Sequence, residues 1–328
     1  MRALVRAESW PIAGGFRIAR GARTKAEVVV LELEVEGLIG RSECVPYGRY
    51  GESVKSVQKA IESVFEGLAE PPSRETIHTT MPTGAARNAV DCALWDLEAK
   101  RMGRPAWELI GLSGEPPAVR TMRTVSVDSP DAMGEAAAKL AHAAVLKVKV
   151  DGGPDLERIR AVHEATPRSA LVIDANESWT EKQLAGWLPR LSAIGVTALE
   201  QPLPVGEDAA LSAMRGVVPF CADETFHDRR SFPAVEGRYD IVNIKLDKTG
   251  GLTEALSSLR EAEARGLGTM VGCMVSTSLA VAPALLLASQ AEYVDLDGPL
   301  LLERDREGAT HEDEKSLLHP SAAIWGGA

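Results

Sequence analysis

From Met122 onward the sequence repeats one pattern eight times: a short apolar run, then a stretch whose apolar residues recur at helical spacing. The runs are 122–127, 145–150, 171–175, 198–201, 220–223, 241–245, 269–272 and 293–296, and amphipathic stretches such as 133–142, 156–165, 181–194 and 253–265 separate them. A helical crossover returns the chain to the same end of a sheet, so strands joined this way lie parallel. Eight units predict a parallel βα barrel, a modified TIM barrel, although a doubly wound open sheet has the same local grammar. Little helix follows the eighth run.

The first 117 residues read differently. The segment 27–34 is β-rich, with Val28, Val29, Val30, Leu31 and Leu33, and Gly37-Leu38-Ile39-Gly40 marks the turn to a partner strand. Val54, Val57, Ile61, Val64 and Leu68 then fall at helical spacing behind Ser53, a good N-cap. A second helix spans about 84–102. Strands followed by helices predict an α+β domain, which would cap the barrel. The expected division is 1–117 for the capping domain, 118–303 for the barrel, and 304–328 for a polar C-terminal segment returning to the cap.

Chemistry-bearing residues stand at the ends of the apolar runs. The second ends Lys147-Val148-Lys149, the third Asp174-Ala175-Asn176, the fourth Glu200-Gln201, the fifth Asp223-Glu224, the sixth Asn243-Ile244-Lys245 and the eighth Asp295-Leu296-Asp297. From Lys149 to Lys245 the steps are 25, 26, 23 and 22 residues, one βα unit each. These side chains should therefore meet at the C-terminal rim, where barrels of this kind place their active sites. Taken singly, each carboxylate is as well explained by a helix cap and each lysine by a solvated surface. Converging at one rim, Asp174, Glu200 and Asp223 would repel one another unless a hard cation sat between them, and all-oxygen ligation suits Mg²⁺. Lysines flanking that cation should have lowered pKa values and act as bases. One base on each face of a bound carbon allows a proton to leave one side and return to the other, with an ene-diolate between the two steps.

The array of Lys-x-Lys, Asp, Glu, Asp and Lys on successive strands resembles the muconate-lactonising subgroup of the enolase superfamily. Within it, the segments 84–97 (GAARNAVDCALWDL), 174–179 (DANESW) and 242–255 (VNIKLDKTGGLTEA) are similar to bacterial dipeptide epimerases of the L-Ala-D/L-Glu type. The resemblance implies Mg²⁺ on Asp174, Glu200 and Asp223, and acid/base catalysis by Lys149 and Lys245. It implies that Lys147 supports the substrate carboxylate and that Asp295 and Asp297 hold the α-ammonium of a dipeptide. Arg20 or Arg23, in a basic loop 20–25 over the barrel mouth, would pair with a second carboxylate. Thr124, Cys273 and Met274 would line the pocket, and Asn176, Glu224 and Lys248 would support the metal and the lysines. Gly250-Gly251 suits a tight turn, or a phosphate cradle. The implied reaction is inversion of the C-terminal α-carbon of L-Ala-D/L-Glu by two-base 1,1-proton transfer. N-acylamino acid racemisation, o-succinylbenzoate synthesis or cycloisomerisation could use the same metal and lysines. A catalytically silent barrel with a binding role is the alternative outside enzymology.

Composition narrows the partners. The 328 residues carry a formal net charge of −11, and only 5% are aromatic, which argues against a nucleic-acid partner. The longest apolar stretch, 279–288, is interrupted by Pro283 and too short to span a bilayer. Cys44, Cys92, Cys221 and Cys273 form no C-x-x-C pair and read as reduced thiols of a cytoplasmic enzyme. A small anionic dipeptide is the expected partner, and the sequence is compatible with a homo-oligomer.

Overall fold

The computed structural model describes residues 1–313 and 317–328. Three antiparallel strands open the chain, β1 (Arg2–Ile18), β2 (Gly21–Val35) and β3 (Leu38–Cys44). Four helices follow: α1 (Val54–Phe65), α2 (Arg74–Thr80), α3 (Ala85–Met102) and α4 (Ala106–Leu109). The β-rich run in β2 is buried on both sides, and its period of two sorts it between two cores. Val29, Leu31, Leu33 and Val35 pack with Val57 and Ile61 of α1, whereas Val28 and Val30 join the core on the barrel side. Ser53 caps α1 in a reciprocal pair with Ser56. Helix α3 is buried almost all round because it too serves both cores: Ala89, Val90 and Ala93 face the sheet, Cys92, Trp95 and Ala99 the barrel.

After a short strand, β4 (Val119–Arg120), come β5 (Arg123–Val125), β6 (Val145–Lys149), β7 (Ala170–Asp174), β8 (Val196–Glu200), β9 (Phe220–Ala222), β10 (Ile241–Lys245), β11 (Gly268–Gly272) and β12 (Tyr293–Asp295). From β5 to β12 they lie side by side in chain order, all parallel. Met122 N donates to Val294 O at 2.8 Å and Leu296 N to Thr121 Oγ1 at 2.8 Å, which closes the seam of a nearly complete barrel. Around it run α5 (Pro130–Lys139), α6 (Asp155–Ala165), α7 (Glu181–Ile194), α8 (Leu211–Met214), α9 (Phe232–Val235), α10 (Leu246–Thr249), α11 (Leu252–Ala264) and α12 (Ser278–Ala288). A 3₁₀ turn, Gly298–Leu301, stands where the eighth helix would be. Met122, Val172, Ala198, Cys221, Ile241 and Met270 fill the barrel interior.

The C-terminal segment adds β13 (His311–Glu312) and β14 (Leu317–His319), and β14 pairs with β4. Its last residues reach α3, with Trp325 Nε1 donating to Cys92 O at 3.0 Å and Gly326 N to Asp96 Oδ1 at 2.7 Å. One expectation changes. The basic segment 20–25 is the tip and return strand of the long β1–β2 hairpin, with Arg23 and Lys25 in register against Phe16 and Pro11. The register shifts between Pro11 and Phe16, where Gly14 and Gly15 adopt φ of 70° and 78°. That irregularity breaks the alternation by which β1 would be read from sequence. Among the described residues, no helix is long and apolar enough to cross a membrane.

Candidate active site

Each strand-end residue singled out above stands at one rim. Lys147 and Lys149 are two apart on β6 and share a face. Asp174, Glu200, Lys245 and Asp295 are the last residues of β7, β8, β10 and β12, and Asp223 directly follows β9. Burial turns these side chains toward one another and toward a few neighbouring donors, Asn243 on Glu200 and the Asn176 backbone on Asp174 among them. Asp174 Oδ2 accepts from Lys149 Nζ at 2.5 Å and lies 3.2 Å from Lys147 Nζ. Lys147 Nζ also sits 2.6 Å from Glu200 Oε2 and donates to Asp295 Oδ2 at 2.7 Å. Across the barrel, Asp223 Oδ2 accepts from Lys245 Nζ at 2.6 Å and its Oδ1 from Lys248 Nζ at 2.5 Å. Strands β6 and β10 are four apart in eight, so Lys149 and Lys245 face each other across the mouth. Both line a cavity of about 150 Å³ bounded above by the β1–β2 hairpin.

The electrostatics follow from crowding acids and amines out of water. Burial opposes ionisation of Asp174, but Lys149 and Lys147 outweigh it and hold the carboxyl well below the usual range. Asp223 is also held low, burial being outweighed by Lys245 and Lys248. Glu200 goes the other way: burial and the adjacent Asp174 charge push it up to about 7, against Lys147. Burial and Asp295 likewise push Asp297 up to about 6, although Thr124 N donates to its Oδ2 at 2.7 Å. Lys245 and Lys147 follow the carboxylates beside them. Burial favours a lowered Lys245, but Asp223 outweighs it and the ammonium is held well above its ordinary range. Lys147 is raised as well, burial being outweighed by Asp295, Glu200 and Asp174. The lowering expected from the sequence is that of an amine beside a bound cation, whose charge acts against this pairing. Lys248 is lowered, by burial.

The donor set fits a hard divalent ion. Asp174, Glu200 and Asp223 offer oxygen only, and Glu200 Oε2 is buried without a hydrogen bond of acceptable geometry despite the nearby Lys147. Among the described residues no three acidic or thiol or imidazole groups are gathered closely enough to hold an ion as they stand. The interleaved ammonium groups account for this, since each carboxylate is turned toward a lysine.

The remaining candidates divide. Thr124, Cys273, Met274, Asp297, Asn176 and Glu224 line the cavity. Glu224 Oε1 is engaged by Arg20 Nη2 at 2.6 Å, with Asn176 Nδ2 at 3.4 Å. Arg20 is further bonded to Tyr47 Oη at 3.0 Å and Asn176 O at 3.1 Å, so protein groups occupy the guanidinium assigned to a substrate. Arg23 lies 5.4 Å over the Tyr47 ring and has no carboxylate partner among the described residues. Lys248 supports Asp223, and the turn Gly250-Gly251 packs on α3 with no phosphate cradle, its would-be Cβ positions falling 2.5 Å from Arg87 and 2.4 Å from Asp91. His227 stacks edge-on with Tyr50 at 4.5 Å. Sequence reasoning missed Phe16, Tyr47 and Tyr50, which bring the N-terminal domain into the cavity. Two tyrosines in a Gly-flanked turn, Tyr47 to Gly51, were the only signal for the pair.

Comparison with known proteins adds to this geometry. Residues 132–319 match the enolase C-terminal domain-like model, and residues 1–111 the N-terminal domain of mandelate racemase / muconate lactonizing enzyme. The chain is similar to the L-Ala-D/L-Glu epimerase of Escherichia coli (strain K12), 49% identical over 92% of this chain and 94% of that one. It is also similar to an N-acetyl-D-glutamate racemase of Pseudoalteromonas sp, 42% identical over 92% and 96%. Among solved structures, an enolase family member from Agrobacterium tumefaciens with homology to dipeptide epimerases, bound to sodium and L-Ala-L-Glu with an ordered loop, superposes with a TM-score of 0.96 at 43% identity over 99% of each chain. A dipeptide epimerase from Enterococcus faecalis V583 complexed with Mg and L-Leu-L-Tyr gives 0.90 at 29% identity, over 98% of this chain and 96% of that one.

Proposed function

This chain belongs to the mandelate racemase / muconate lactonizing enzyme family of the enolase superfamily, and on that premise we propose that it is a magnesium-dependent epimerase inverting the C-terminal α-carbon of L-Ala-D/L-Glu. The observation that carries the reading is the opposition of Lys149 and Lys245 across one small cavity, each anchored by a rim carboxylate. Lys149 takes or returns the α-proton on one face of the substrate, and Lys245 does so on the other. Asp174, Glu200 and Asp223 would hold the magnesium ion. When bound, the ion supplies positive charge that loosens the carboxylates' hold on the lysine protons and stabilises charge building on the substrate carboxylate.

Lys147 keeps positive charge beside that carboxylate and fixes Asp295. Asp297, at the cavity wall, receives the α-ammonium, whose arrival draws its carboxyl back toward the ionised form. Arg23 is free to pair with the glutamate side chain, a role that Arg20 leaves to it. The division into cap (1–117), barrel (118–303) and returning segment (304–328) is part of this reading. So is a cytoplasmic setting in the turnover of cell-wall peptides, without a nucleic-acid or membrane partner. A second reading, racemisation of an N-acylated amino acid, draws support from the 42% identical N-acetylglutamate racemase and from Asp295 being neutralised by Lys147.

Incubation with Mg²⁺ and L-Ala-L-Glu in D₂O, with the glutamate α-proton followed by NMR, tests the assignment. Wash-out with accumulation of the D-epimer is expected, and N-acetyl-L-glutamate should exchange far more slowly. A reversed preference would establish the second reading. Lys149→Ala and Lys245→Ala should each abolish inversion, and full inversion by either variant would refute the two-base scheme.

A further inference from the structure

The two lysines are anchored by different parts of the molecule. Lys245 ends β10 and leads directly into α10, after which the chain turns at Gly250-Gly251 into α11. One side of α3, from the N-terminal domain, grips this whole stretch. Asn88 Nδ2 donates to Asp247 Oδ1 at 2.8 Å, and Val45 N donates to the same oxygen at 3.0 Å. Arg87 Nη2 donates to Thr249 O at 2.6 Å and its Nε to Gly250 O at 3.1 Å. Asp91 accepts from Thr253 N at 2.9 Å and from Thr253 Oγ1 at 2.6 Å, and Trp95 Nε1 donates to that hydroxyl at 2.9 Å. Asn88, Asp91 and Trp95 recur at helical spacing, so the grip comes from one continuous strip of α3.

The chain that follows Lys149 is held otherwise. Val150 N donates to Asp174 O at 3.1 Å, Gly152 N to Asp155 Oδ2 at 2.8 Å, Trp179 Nε1 to the same oxygen at 2.8 Å, and Gln183 Nε2 to Gly152 O at 3.0 Å. Every partner belongs to the barrel. The Phe16 ring, 6.0 Å from Lys149 Nζ, comes from the N-terminal domain but bonds none of this backbone.

We propose that Asn88, Arg87 and Asp247 are positioning residues for Lys245 alone, so that the N-terminal domain sets the aim of one base and leaves the other to the barrel. The inference rests on the epimerase reading and goes beyond it. These residues lie outside the cavity lining and act only through the backbone that follows Lys245. A displacement of the base by an ångström is enough to lower a proton-transfer rate on the order of a hundredfold.

The test follows each epimer separately in D₂O. An epimer whose α-proton faces Lys149 loses it to Lys149 and regains deuterium on the same face, with no need of Lys245. Lys245→Ala identifies that epimer as the one that still exchanges. Asn88→Ala should leave its wash-out close to the wild-type rate, while wash-out of the other epimer and net inversion both slow on the order of ten- to a hundredfold. Asp247→Asn keeps the accepting oxygen and should invert nearly as the wild type does. The surviving exchange certifies that the barrel is folded. If Asn88→Ala does not fold, Thr253→Val removes the hydroxyl bonds to Asp91 and Trp95 at a half-buried site and is read the same way. Equal slowing of both epimers, or of neither, overturns the positioning role while leaving the epimerase reading intact. No exchange of either epimer by the wild-type protein overturns both.

Discussion

Arg20 and Arg23 stand three residues apart on one hairpin and have different electrostatic fates. Arg20 covers the buried carboxylate of Glu224, its charge and donors consumed by that pair, Tyr47 and Asn176. Arg23 keeps its donors for the cavity. Charge-assisted bonds to a carboxylate contribute about 1.5–3 kcal/mol, so Arg23→Ala should raise KM for L-Ala-L-Glu roughly tenfold to a hundredfold. It should leave L-Ala-L-Ala nearly untouched. Arg20→Ala should instead lower the melting temperature, because it leaves Glu224 buried and unpaired. Steady-state kinetics with both dipeptides checks the first claim, and equal losses on the two would remove Arg23 from the specificity role. The sequence placed both arginines near the substrate but could not rank them. Glu224, which decides between them, is 204 residues from Arg20, and no local pattern carries such a pairing.

At the scale of elements, legibility followed burial. Strands of a parallel barrel are buried on both faces and read as continuous apolar runs, so β5–β12 were found within about two residues of their ends. The chemistry at those ends was legible for the same reason, since one βα unit has a nearly constant length. Strand β1 was not, because Gly14-Gly15 and half-exposed alternation mask it, and α10 is too short to show a period. The turn after α10 was read as tight, but its partner was hidden. Gly251 has a φ of 113° and a would-be Cβ 2.4 Å from Asp91, so Gly251→Ala combines backbone strain with a clash. Gly266→Ala, at φ 68° with open space around its Cβ position, carries the backbone cost alone. The first should lose about 3 kcal/mol and the second about 1 kcal/mol in denaturant unfolding. Equal losses would mean that α3 and the turn are not in tight contact.

The parts of the whole molecule meet at a seam of buried and half-buried polar groups. Glu43, at the end of the N-terminal sheet, accepts from Thr277 N at 2.8 Å and from Arg306 Nη2 at 2.6 Å, which joins sheet, barrel and C-terminal segment. Asp247 lies in the same seam, with no cation beside it among the described residues. Burial pushes its carboxyl up to about 7, with Glu52 and Glu43 adding to the shift against the bonds from Val45 and Asn88. The unfolded chain holds this group near its ordinary value of 3.8, so between the two values the folded protein binds a proton that the unfolded chain does not. By linkage the stabilisation is complete below the unfolded pKa and is lost as pH rises through about 7. Asp247→Asn removes the ionisation and keeps both accepted bonds. Its unfolding free energy should therefore gain on the wild type as pH rises from about 4 to about 7 and level off above that, by an amount on the order of a few kcal/mol read from denaturant unfolding. A difference that stays constant over that range would mean that Asp247 titrates normally and that the seam admits water. Because the same carboxylate aligns the chain beyond Lys245, a rising gap would also tie the docking of the two domains to the geometry of one base.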